Sequence, residues 1–166
     1  MVTSTDPWRE AVREELKQLV DDLLHTEKTH MAAGERLGKI HRRLGLVATA
    51  LATAGGATVL AEKSSLVAGL LALGAALASG VLTFMKPDKA AEQHLGAGRQ
   101  LGALRVRARH TLNLDIDRLS EQALRDEISA LAGEKAAIDA TAPGTEAKDY
   151  SVARQKIVAG TFDRDR

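Results

Sequence analysis

Two histidines carry the most chemical interest in this chain because of where they fall. His30 and His94 each lie on a helical seam rather than on a charged face. A histidine in such a seam is most often a hydrogen-bonded device that fixes helix register. It can instead respond to a proton or a ligand near neutral pH. The remaining reactive residue types argue against an active site. His25 and His30 are five apart, so a helix points them to different faces and local spacing cannot bring them to one metal ion. The chain has no cysteine, which excludes disulfides, thiolate zinc sites and thiol nucleophiles. No HExxH, P-loop or GxSxG string occurs. Gly96-Ala-Gly98-Arg-Gln-Leu-Gly102 fits GxGxxxG rather than the dinucleotide fingerprint, and no strand precedes it, so packing is its expected role. Asp115 and Asp117 stand at an expected helix start, where carboxylates complement the dipole. The expectation is a protein that is not an enzyme, with no catalytic, cofactor-binding or metal-ligating residue.

The elements that must position these residues are helices. Good helix formers dominate and only three prolines occur, so the fold class is all-α. Asp6 can cap free backbone N–H groups, and Pro7 suits the first helical position. From there a stripe advances by steps of three and four: Val12, Leu16, Leu19, Leu23, Thr26, His30, Ala33, Leu37, Ile40, Leu44. It is apolar at both ends and polar at Thr26 and His30. Gly34 and Gly38 weaken the helix but permit a neighbour to come close. After Pro87 a second stripe reads His94, Ala97, Leu101, Leu104, Ala108, Leu112. Asn113-Leu-Asp115 marks a break, with Asp115 expected to cap a helix carrying Ile116, Leu119, Ala123, Ile128, Leu131 and Ile138. Thr141-Ala-Pro143-Gly144-Thr145 is a turn, and a last helix spans Ala147–Val158 with Tyr150, Val152, Ala153 and Ile157. The tail from Thr161 to Arg166 is expected to fray.

Between the two stripes the composition changes abruptly. Leu44 to Ala61 contains no charge, Glu62-Lys63-Ser64-Ser65 interrupts, and Leu66 to Met85 again contains none. Each run approaches the roughly 20 residues that a helix needs to cross a hydrocarbon core. The competing reading is a pair of core helices in a soluble bundle. Against it, a helix as poor in polar groups as Leu66–Met85 must be buried all round, and 166 residues offer little other apolar material to wrap two of them. Aromatics make up only 2% of the chain, which is thin for a soluble core and also leaves no Trp or Tyr belt at the interfaces.

Charge sets the expected topology. Lys39, Arg42 and Arg43 precede the first span and Lys86 and Lys89 follow the second, while the turn has one Lys against one Glu. By the positive-inside rule both flanks face the cytoplasm. The expected organisation is a cytoplasmic amphipathic helix over 1–43, a membrane hairpin over 44–85 with spans 44–61 and 66–85, and a cytoplasmic helical region over 86–166. The N-terminal residues are acidic early and lack an apolar stretch, so they do not read as a signal peptide. A net charge of +1 gives no reason to expect nucleic acid as a partner.

Within the hairpin, small residues align. Gly45, Ala48, Ala52 and Gly55 share one face of the first span, and Gly69, Ala72, Ala76, Ser79 and Thr83 share one face of the second. Small faces let membrane helices approach closely. Thr49 and Thr53 form a second, mildly polar stripe, either lining a wet pore or, more commonly, bonded to their own helix backbone.

In order and texture the chain resembles the SLATT family, the SMODS- and SLOG-associating two-transmembrane effectors of bacterial conflict systems. The resemblance runs from about Leu23 to Gly160. A helix with a late basic patch, His41-Arg42-Arg43, leads into two Ala/Gly/Leu-rich spans joined by a short turn. After them, Lys86-Pro87-Asp88-Lys89-Ala90-Ala91-Glu92-Gln93-His94 and Leu95-Gly-Ala-Gly-Arg-Gln-Leu101 are similar to the family's post-membrane stretch, and Ile138–Pro143 followed by Tyr150–Ala153 to its C-terminal helix, turn and helix. The resemblance implies an effector in the bacterial inner membrane that homo-oligomerises and permeabilises the bilayer. It implies a nucleotide-sensing or nucleotide-making defence partner, and no cofactor of its own. The alternative is a membrane-anchored helical scaffold without pore activity.

Overall fold

The computed structural model describes residues 6–162, which are helical with no strand among them. Five α-helices follow in order: α1 Pro7–Leu60, α2 Ser65–Met85, α3 Pro87–His110, α4 Glu121–Thr141 and α5 Ala147–Val158, with a π-helical turn at Thr111–Asp115 between α3 and α4. α1 begins as its sequence dictates. Asp6 Oδ1 accepts from the Trp8 N–H at 3.1 Å, and Pro7 takes the first helical position. It then runs 54 residues, because its interior holds no proline.

The chain groups into two compact units, one comprising residues up to Ala33 and from Gln93 onward, the other Gly34–Glu92. The first is a helical bundle of the early part of α1 with α3, α4 and α5. Its core contains Leu16, Leu23, Leu101, Leu104, Ile116, Leu124 and Leu131, with Trp8, Leu19 and Ile138 packed against it. Fully burying each such leucine contributes about 1.5–3 kcal/mol. The first seam faces this core from Val12 to Leu23 and the second from Leu101 to Ala108, with Leu112 its half-buried end. Leu37, Ile40 and Leu44 of the first seam belong to the other unit, where Ile40 is exposed.

One expectation is corrected. Asp115 does not cap the helix carrying Leu124 and Leu131. Its carbonyl accepts from Arg118 and Leu119 N–H within a turn, and α4 starts only at Glu121. Ser120 is the true N-cap, its Oγ accepting from Ala123 N–H at 3.2 Å. The delay lets Ile116 reach the core before the helix begins. Asp117 meets Arg13 at 3.1 Å instead. Arg9 clamps the same turn by donating to the carbonyls of Ile116 and Leu119.

The second unit is the hairpin of the later part of α1 with α2. Gly55 sits against α2: a Cβ added there would lie 3.4 Å from Leu71 Cβ and 3.5 Å from the Ala68 carbonyl. Gly74 faces Leu51 in the same antiparallel register. Ala48, Ala68 and Ala75 are buried by the contact. Away from it the surface is apolar, with Leu46, Leu66, Leu70, Leu77 and Phe84 all more than half exposed. Only 11% of the most apolar window of each helix is buried. Core helices of a soluble bundle would be mostly covered, so these helices are built to be covered by something outside the chain. Both are long and apolar enough to cross a membrane.

Candidate functional site

Two places stand out, one in each unit. In the bundle it is a layer of buried polar groups between α1 and α3. Heptad-like spacing puts Glu27 one turn after Leu23 and one turn before His30, on the core face of α1. Gly98 and Gly102, one turn apart on α3, make the space it needs. A Cβ on Gly102 would lie 3.2 Å from Glu27 Cδ, and one on Gly98 would lie 3.2 Å from Met31 Cγ. Glu27 is 6% exposed and Arg105 is 5% exposed, so this ion pair is desolvated. Arg105 Nε donates to Glu27 Oε2 at 2.8 Å, and Lys28 Nζ donates to Oε1 at 2.7 Å. Such a pair adds little net stability but is costly to break on one side.

Further along the same layer His30 meets His94, with Nδ1 atoms 3.0 Å apart and ring planes tilted by 42°. Both residues are buried. An Nδ1···Nδ1 hydrogen bond holds one proton, so one ring donates and the other accepts. Burial pushes the His30 pKa below the ordinary histidine value, the neighbouring His94 lowers it further, and Asp139 pulls weakly the other way. His30 therefore favours its neutral state, and a second proton between the two Nδ1 atoms would set two N–H groups face to face. Thr26 is bonded within its own helix, to the Asp22 carbonyl at 2.9 Å. Nearby, His25 Nδ1 lies 2.9 Å from the Asp21 carbonyl, and its ring is 6.5 Å from that of Tyr150, at the edge of an open cleft of about 870 Å³. Lys17, Asp21, Asp22 and Arg154 give that cleft mixed charge.

Glu27 and Arg105 escaped the sequence reading because charged residues read as surface. The signal was the pair of glycines four apart on α3 opposite a seam that already contained His30.

In the hairpin unit, Gly55 is buried against α2. Ala72, Ala76, Ser79 and Thr83 are exposed, because α2 turns Ala68 and Ala75 toward α1. Thr49 donates to the Gly45 carbonyl and Thr83 to the Ser79 carbonyl, both at 2.9 Å, whereas Thr53 is simply exposed. Lys39, Arg42, Arg43, Lys86 and Lys89 are all exposed. A Cβ added at Gly38 would meet nothing from another element within 4 Å. The structure thus brings together His30 and His94, and leaves the small face of α2 unused within the chain.

Among comparisons with known proteins, the model of the SMODS and SLOG-associating 2TM effector domain family 4 matches residues 12–159. No curated protein and no solved structure matches.

Proposed function

Because this chain belongs to the SMODS and SLOG-associating 2TM effector domain family 4, we propose that it is a membrane effector of a bacterial defence system whose hairpins assemble into a pore. Two spans cannot enclose a channel, so conduction requires several copies. The observation that carries this reading is the division of small residues on α2. Ala68 and Ala75 are spent inside the hairpin, while Ala72, Ala76, Ser79 and Thr83 remain exposed on another face. That face offers close packing to a neighbouring copy and the Ser79 hydroxyl to a wet lumen, while the Thr83 hydroxyl is bonded to its own helix backbone. Catalysis has no part in this reading. The trigger comes from a nucleotide-linked partner acting on the helical bundle. In this reading both chain ends lie in the cytoplasm and Glu62–Ser65 across the bacterial inner membrane, an orientation supported by the Lys and Arg at the open end of the hairpin. A cysteine at Ser64 should react with an impermeant maleimide in intact cells, and one at Ser4, outside the described residues, should not.

The direct test is planar-bilayer conductance of the purified full chain, with and without its natural partner. Discrete conductance that Ala76→Leu abolishes supports the pore. Silence under both conditions leaves the anchored scaffold, a reading favoured by the open cleft beside Tyr150 and the exposed Tyr150, Val152 and Val158 of α5.

A further inference from the structure

The open end of the hairpin carries an unusual charge arrangement. The register that sets Gly55 against Leu71 and Leu51 against Gly74 brings the Lys39–Arg43 turn of α1 level with Lys86–Lys89. His41 Nδ1 lies 4.0 Å from Asp88 Oδ1 across this end, which fixes the alignment directly. Lys39, Arg42, Arg43, Lys86 and Lys89 therefore cluster at one end of the apolar surface, with Asp88 facing His41 rather than any of them. All five are exposed, and none has a carboxylate partner among the described residues. In the bundle unit pairing is more common: Arg13, Arg105, Arg107, Arg125 and Lys135 each meet a carboxylate. Arg99, Arg118, Arg154 and Lys156 stand exposed, without an ion pair among the described residues, at scattered positions in the sequence. What sets the hairpin end apart is that five unpaired cations are brought level with one another where the uncharged helices end.

The backbone adds a second observation. α2 closes at Lys86 in the left-handed conformation, φ 42° and ψ 54°, with its N–H bonded to the Leu82 carbonyl at 3.1 Å. Glycine is the usual residue there, because a Cβ is sterically penalised. A lysine in this position keeps a cation at the corner between α2 and Pro87 at the expense of backbone strain.

We propose that these five cations form a binding site for the phosphate headgroups of anionic phospholipids, at the membrane surface where the hairpin emerges. Arg42 and Arg43 supply planar donors that match phosphate oxygens, and Lys39, Lys86 and Lys89 supply point charges around them. The inference rests on the membrane-spanning reading, since only a bilayer presents headgroups at the end of an apolar hairpin.

The test uses the full chain, purified in detergent and exposed to equimolar phosphatidylglycerol and phosphatidylcholine, with retained lipids counted by native mass spectrometry. Phosphatidylglycerol should be retained in preference, and the preference should fall with added salt. Arg42→Gln with Lys89→Gln should cut it by about fivefold for each charge removed. Arg42→Lys should keep most of it, and Arg125→Gln in the bundle should not change it. Equal retention of the two lipids, or a double variant that keeps the wild-type preference, overturns the proposal. Displacement of phosphatidylglycerol by equimolar inorganic phosphate also overturns it, because the site would then be one for soluble anions. Flotation with vesicles after carbonate washing separates the two readings. A chain that fails to float overturns the membrane reading and this proposal with it. A chain that floats without lipid preference overturns the proposal alone.

Discussion

His30 and His94 are 64 residues apart in the chain, and their Nδ1 atoms are 3.0 Å apart in the structure. The contact ties α1 to α3 close to where the chain passes between its two units, after Ala33 and again before Gln93. Its chemistry makes the bundle sensitive to acid. The folded state holds the His30 pKa below its ordinary value of 6.5, chiefly by burial and then through His94. The unfolded chain therefore binds that proton more readily, and stability rises with pH across this window. The contribution is complete above about pH 6.5 and is lost as pH falls toward the depressed folded value. Thermal unfolding followed by circular dichroism should show the bundle melting at lower temperature at pH 5.5 than at pH 7.5. Asn presents an amide where His has Nδ1, so His30→Asn should keep the contact and flatten the slope. An unchanged slope in that variant would remove His30 as its source.

Two glycines on α3 give a sharper test of packing. Gly102 faces the carboxylate of Glu27 at a distance a Cβ barely tolerates, and that carboxylate is held by Arg105 and Lys28 and cannot swing aside. Gly102→Ala should destabilise the bundle by about 1–3 kcal/mol, the usual range for overpacking. Gly96 has nothing within 4 Å of its added Cβ. Gly96→Ala should therefore stabilise the helix by about 0.5–1 kcal/mol. Opposite shifts of the denaturation midpoint are expected, and shifts of the same sign would mean that Glu27 does not control this spacing.

Removing one side of the buried pair should cost more. Glu27→Ala leaves Arg105 without its 2.8 Å partner in a site that excludes water, a change worth about 3–5 kcal/mol. Arg107 also bonds Glu127 and Glu134, yet its side chain is 43% exposed. Its loss should cost no more than about 1 kcal/mol. Urea unfolding of Glu27→Ala and Arg107→Ala checks the order, and equal losses would contradict the buried geometry.

The two seams were legible because steps of three and four put Val12, Leu16 and Leu23, and separately Leu101, Leu104 and Ala108, on one face each. Periodicity also put His30 and His94 on these seams, although it could not say that they meet. The hairpin was legible from its lack of charge. Its contact face was not. On a helix this rich in alanine, Ala68 and Ala75 make as good a small stripe as Ala72 and Ala76, and pattern alone cannot rank them. The connection after α3 was misread for a related reason. Asp115 and Ser120 are both sound caps, and the choice between them is made by the burial of Ile116, a tertiary effect.

That ambiguity separates two substitutions that look alike in sequence. Gly55→Leu forces a branched side chain against Leu71 and the Ala68 carbonyl, so it should disrupt the hairpin itself. Ala76 is exposed, so Ala76→Leu should leave the hairpin folded and act only on assembly. Cysteine cross-linking between Leu51 and Gly74 positions reports the hairpin, and light scattering in detergent reports oligomer size. Gly55→Leu should lose the cross-link. Ala76→Leu should keep it and lose oligomer mass. A wild-type oligomer in Ala76→Leu would place the assembly contact elsewhere.

The last expectation concerns activity in cells. Expression without the controlling partner should depolarise the membrane and stop growth if the hairpin is the effector element. Leu73 lies in the middle of α2 and is 58% exposed, so its side chain meets whatever surrounds the hairpin. Leu73→Arg costs about 2.5–3.5 kcal/mol at the centre of a membrane span. It should abolish toxicity by preventing insertion or assembly, with little effect on the bundle, whose core includes none of α2. His30→Leu makes the complementary change. It leaves the uncharged spans alone and removes the Nδ1 contact with His94, so the protein should insert normally and respond differently to its trigger. Dye-reported membrane potential at matched expression distinguishes the three proteins. Depolarisation by wild type, none by Leu73→Arg and an altered threshold in His30→Leu would assign permeabilisation to the hairpin and control to the bundle. If Leu73→Arg is as toxic as wild type, the hairpin is not the agent, and the effect must arise from the helical bundle.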